Sequence, residues 1–103
     1  ARELMFTGDR VDAARAETIG LVNRVVPGDK LQAEAFALAK SLAEGPRLAL
    51  RYMKDNLDEA VLFDFETARD HEAERLIRLT TTADHKEAVQ AFIEKRKAVF
   101  TGK

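Results

Sequence analysis

Phe92 and Lys95 stand three residues apart, so a helix carries their aromatic ring and ammonium on neighbouring positions of one face. Such a pair can flank a flat heterocycle beside a phosphate. The plainer alternative is a core phenylalanine next to a solvated lysine. Arg96 and Lys97 extend the lysine into a short basic cluster, which Phe100 closes. At a helix C-terminus these cations suit the negative end of the dipole, and they are also placed to hold an anion.

Other chemistry finds less support. Ser41 is the one serine and sits mid-helix with no histidine partner, so it reads as a small structural residue. Thr7, Thr81 and Thr82 read as turn and cap residues. His71 and Glu74 share a helix face, but two ligands fall short of the three or four a stable metal site wants, and no metal is expected. Glu66, Asp70 and Glu74 alternate with Arg69, Arg75 and Arg78 in the pattern of a solvated, ion-paired face. Glu72 lies instead on the apolar stripe of that helix, which makes it the best acid–base candidate, against a buried or interfacial ion pair. The five glycines are scattered at apparent helix ends and form no phosphate-binding loop.

Composition narrows the classes further. A net charge of −1 gives no bulk attraction to nucleic acid or to an anionic membrane. The absence of cysteine excludes disulfides, thiolate nucleophiles and zinc clusters, and it fits a reducing compartment, so a cytoplasmic location is expected. No apolar run is long enough to span a bilayer. The sequence opens at Ala1 already helical in character, which leads us to expect a piece of a longer polypeptide.

The elements that would position these residues are mainly helical. Residues 1–6 read as the last turns of a helix stopped by Thr7 and Gly8. Asp12 caps a short helix over Ala13–Ile19, with Gly20 as its left-handed terminator. Residues 21–27, LVNRVVP, are β-branched and predict a short extended segment in need of a partner strand. Asp29 is placed to cap a helix with Leu31, Leu38 and Leu42 on its apolar face and Gly45 at its end. Pro46 suits the first position of the next helix, which carries Leu48, Met53, Leu57 and Ala60. Asp64 caps another, with Phe65, Ala68, Leu76 and Leu79 on one side and Arg69, Glu74, Arg75 and Arg78 toward water. After Thr80–Thr82, a terminal helix aligns Ala88, Val89, Phe92 and Ile93. The reading is about five helices and one short extended segment.

Two stretches carry a family resemblance. ELMFTGDRVDAARAETIGLVNRVVP, residues 3–27, resembles the crotonase (enoyl-CoA hydratase/isomerase) pattern of a helix ending in TG, a short helix, then GLVN-x-VVP. DHKEAVQAFIEKRKAVFTGK, residues 84–103, resembles the same family's ending, D-x-x-E-G/A-x-x-A-F-x-E-K-R-x-P-x-F. Ala88 stands where that family often has glycine, and Ala98 where it often has proline.

The resemblance implies the C-terminal helical region of a crotonase-type fold. Residues 1–27 would form the edge of a ββα core, with a short strand at 21–27, and 28–103 a helical assembly region. It further implies an acyl-CoA substrate in the intact enzyme, a trimer or hexamer, and no cofactor. The reaction is addition of water to a 2,3 double bond, or migration of that bond. The catalytic groups of the family lie upstream of its TG motif, so no catalytic residue is assigned here and the chain alone is expected to be inactive. Phe92 and Lys95 map onto positions that touch coenzyme A of an adjacent subunit. Two alternatives stand beside this reading: a stand-alone helical interaction module with no ligand, and a non-hydratase member of the superfamily.

Overall fold

A computed structural model describes residues 2–103, so the Ala1 end of the first predicted helix lies outside the described residues. Among the described residues six α-helices follow in order: α1 (Arg2–Thr7), α2 (Ala13–Thr18), α3 (Leu31–Ala43), α4 (Arg47–Leu62), α5 (Phe65–Thr80) and α6 (Ala83–Glu94). The expected mainly helical class holds. The chain divides into two compact units, one running to Phe36 and the other Ala37–Lys103.

In the first unit, the cap and the terminator of α2 form as expected. The Asp12 carboxylate accepts from the Arg15 N–H at 2.8 Å and caps α2. Gly20, at φ +73°, ends it in a Schellman motif: the Leu21 N–H reaches the Ala16 carbonyl at 2.8 Å and the Gly20 N–H that of Glu17 at 3.0 Å. The strand expected over residues 21–27 does not form, and no strand forms among the described residues. Without a partner strand its donors turn to α2 instead. The Val22 N–H reaches the same Ala16 carbonyl, and the Val25 N–H the Glu17 carboxylate at 3.1 Å. A 3-10 turn, Gly28–Lys30, leads into α3, so Asp29 lies inside that turn and not at a cap.

The second unit is a helical hairpin, α4 with α5, against which α6 packs. Pro46 stands one position earlier than expected, as the residue before α4. Asp64 caps α5 through the Thr67 N–H at 3.0 Å, and Thr82 caps α6 through the His85 N–H at 3.1 Å. The faces that meet are the surprise. Tyr52, Asn56 and Glu59 of α4 and Ala68, His71 and Arg75 of α5 are half-buried, while Met53, Leu57, Phe65 and Leu76 are exposed. The hairpin therefore closes largely through polar residues, with Ala68 and Leu79 beside them, and leaves Met53, Leu57, Phe65 and Leu76 of the predicted apolar stripes open. Arg75, expected in water, is 18% exposed.

On α6, Ala88 and Ala91 turn inward while Val89, Phe92 and Ile93 stay exposed. The inward face is thus small, set by alanines and by Asp84, which is buried.

Candidate functional site

The end of α6 is built by three carboxylates and a backbone turn. Arg96 donates to Glu87 through both terminal nitrogens, at 2.5 and 2.9 Å, and through Nε to Glu94 at 2.5 Å. The Val99 N–H adds a bond to Glu87 at 2.9 Å. Arg96 and the Val99 N–H together hold the Glu87 carboxyl at about 2. Hydrogen bonds from Gln90 and then Arg96 lower that of Glu94, and the same pairs raise the Arg96 guanidinium above its ordinary value. Lys97 donates to Glu44 at 3.1 Å and lowers its carboxyl.

Lys95 differs from both neighbours. Its side chain has no carboxylate partner among the described residues. Its backbone is left-handed, φ 54° and ψ 38°, and it is the one non-glycine among the described residues with positive φ. Phe92, one turn before it, is 85% exposed. The predicted ring and ammonium both face outward at the helix end.

Past this point the chain folds back over the start of α6. The buried Asp84 accepts from the Thr101 N–H at 2.7 Å, the Gly102 N–H at 2.9 Å and the Thr101 hydroxyl at 3.3 Å. Its own N–H donates to the Lys103 carbonyl at 3.0 Å, and Arg47 donates to the Thr101 carbonyl at 2.7 Å. Phe100 is thereby brought to the wall of an apolar cleft of about 160 Å³, which Leu48, Leu76, Leu79 and Ala88 also line.

A second polar cluster joins α4 and α5. Arg75 donates to both oxygens of Glu59, at 2.5 and 2.9 Å, and to Asn56 at 2.6 Å. His71 Nδ1 lies 2.8 Å from Glu59 Oε2; a carboxylate can only accept, so this nitrogen carries the proton. Hydrogen bonds from Arg75, then from His71, hold the Glu59 carboxyl at about 2. Phe63 meets the His71 ring edge to face, with centroids 5.8 Å apart. A carboxylate so firmly ionised is a poor proton acceptor near neutral pH, so this cluster is a tie between helices.

The other sequence candidates are placed as follows. Glu72 is exposed, so the environment that would suit it to acid–base work is missing. His71 pairs with Glu59 and not with Glu74. Among the described residues no group of three or more His, Cys, Asp or Glu is arranged to hold a metal. Ser41 donates to the Leu38 carbonyl at 2.7 Å, a helical back-bond. Sequence reasoning missed Glu59, Asp84 and Glu87. For Glu59 a signal existed: Tyr52, Asn56 and Glu59 recur at helical spacing, as do His71, Arg75 and Arg78 on the next helix.

A family profile described as enoyl-CoA hydratase/isomerase matches residues 1–103. A short-chain-enoyl-CoA hydratase of Clostridioides difficile is 41% identical over 92 residues, covering 89% of this chain and 59% of that protein. A crotonyl-CoA hydratase of Syntrophomonas wolfei is 37% identical over 103 residues, covering all of this chain and 40% of that protein. The crystal structure of an enoyl-CoA hydratase from Bacillus anthracis superposes with a TM-score of 0.92 at 32% identity, over 99% of this chain and 40% of that one. The chain thus spans 40% to 59% of the length of these relatives.

Proposed function

This chain belongs to the enoyl-CoA hydratase/isomerase family, and from that premise we propose that it forms the C-terminal assembly and ligand-closing region of an acyl-CoA hydratase/isomerase. The two sequence stretches that resemble that region of the family, residues 3–27 and 84–103, support the placement. The reaction of the full-length polypeptide is addition of water to a 2,3 double bond of an acyl-CoA, or migration of that bond. Its proton-transfer and oxyanion-binding groups lie outside these residues, and the chain by itself is inactive.

One observation carries the ligand-closing part. Arg96 and Lys97 are neutralised by Glu87, Glu94 and Glu44, whereas Lys95 keeps a free ammonium beside an exposed Phe92. An ammonium and a ring in that relation suit a phosphate and the adenine of coenzyme A. Assembly into a trimer or hexamer is supported by the uncovered stripes of α4 and α5, since exposed apolar surface of that extent marks an association face. No described helix is long and apolar enough to cross a membrane, and we assign the protein to the cytoplasm.

The test is calorimetric titration of coenzyme A into the full-length polypeptide. Lys95→Ala should weaken binding about tenfold, the effect of one charge-assisted contact. Unchanged affinity would overturn the reading.

A further inference from the structure

The end of α6 repeats the geometry of the end of α2 with one substitution of residue type. At α2 the left-handed position is Gly20, and the Schellman bonds run from Leu21 to Ala16 and from Gly20 to Glu17. At α6 the same bonds run from Arg96 to Ala91 at 3.0 Å and from Lys95 to Phe92 at 3.3 Å, and the left-handed position is Lys95. The end of α1 also uses a glycine, Gly8 at φ +65°. A left-handed backbone costs a side-chain-bearing residue energy that glycine does not pay. Terminating α6 alone would call for glycine, as in the other two helices. A strained residue persists where its surroundings over-determine it, and it points to a use for its side chain.

Neighbouring side chains fix it. Arg96, the next residue, is locked by the two-pronged bond to Glu87 and by Glu94, and Glu94 is steadied by Gln90 at 2.5 Å. Val99 holds Glu87 from the far side of the turn. The lock does two things. It pins the backbone on the C-terminal side of Lys95, so the left-handed turn cannot unwind. It also occupies the carboxylates of Glu87 and Glu94, so neither pairs with the Lys95 ammonium.

We infer that Glu87 and Arg96 are positioning residues for Lys95: they hold it in its strained turn and keep its ammonium free for an anionic ligand. The inference rests on the coenzyme A reading given above and adds to it the device that presents the charge.

The experiment is a double-substitution cycle in the full-length polypeptide, with coenzyme A as the titrant and thermal unfolding measured alongside. Arg96→Ala should weaken binding about fivefold when Lys95 is present and leave it unchanged in the Lys95→Ala background, because its effect passes through that lysine. Arg96→Lys should not restore affinity, since an ammonium cannot make the two-pronged bond. Glu87→Gln, which keeps the side chain's shape and an acceptor for Val99, should follow Arg96→Ala if that variant folds poorly. Lys95→Gly should raise Tm by about 4 °C while weakening binding, the opposite signs expected of a strained functional residue.

If Lys95→Ala binds as the parent does, the coenzyme A reading fails and this inference with it. If Lys95→Ala binds weakly but Arg96→Ala acts equally with and without Lys95, or not at all, only the positioning role is overturned. A lower Tm in Lys95→Gly would overturn the claim of strain.

Discussion

Glu59 shows how a single side chain decides the pairing of two helices. It accepts from Arg75 and His71 at once, and its carboxyl is held at about 2 against an ordinary 4.5. A depressed carboxyl contributes stability that is complete above its unfolded value and is lost as pH falls through the folded one. Glu59→Gln should therefore lower Tm at pH 7, and the gap from the parent should close as pH falls from about 4.5 toward 2. Thermal unfolding across that range checks it, and a gap that persists at pH 2 would contradict the assignment. At this scale the sequence was legible where a residue acts alone. Phe92 and Lys95 could be singled out because their spacing is decided within one helix turn. Glu59 with Arg75 could not, because a charged stripe reads the same whether it meets water or a matching stripe on another helix.

Caps and terminators were the most legible feature among the elements, since each is decided within about four residues. Asp12, Asp64 and Thr82 all cap as expected, and Gly20 ends α2. Thr82→Ala should cost about 1 kcal/mol, read as a lowered denaturant midpoint with an unchanged slope. The failure at residues 21–27 has the opposite cause. A strand depends on a partner that local sequence does not contain, and here the Ala16 carbonyl and the Glu17 carboxylate took the available N–H groups. The fold-back onto Asp84 was invisible for a similar reason, its bonds spanning 17 and 18 residues. Asp84→Asn would present an amide to donors that need an acceptor. Amide hydrogen exchange at Thr101 and Gly102 should then speed up by at least tenfold. Exchange at the parent's rate would mean that Asp84 does not hold the tail.

For the whole molecule, the informative fact is which faces are left uncovered. Within the second unit α4 and α5 join through Glu59, Arg75 and Asn56, while Leu57, Val61, Phe65 and Ile77 stay exposed. Helices patterned this way have apolar stripes meant for something other than each other. The isolated 103-residue chain should accordingly self-associate, seen as a sedimentation coefficient that rises with concentration; a clean monomer at high concentration would count against it. Family membership was legible at this scale because two stretches at opposite ends of the chain carried it in the right order.

The most direct measurement is steady-state hydration of a 2,3-enoyl-CoA by the full-length polypeptide and its Lys95→Ala variant. The parent should be active, with KM raised about tenfold in the variant and kcat within about twofold, as loss of uniform substrate binding requires. A parent with no activity on enoyl-CoA esters, or a variant whose kcat collapses at unchanged KM, would contradict it.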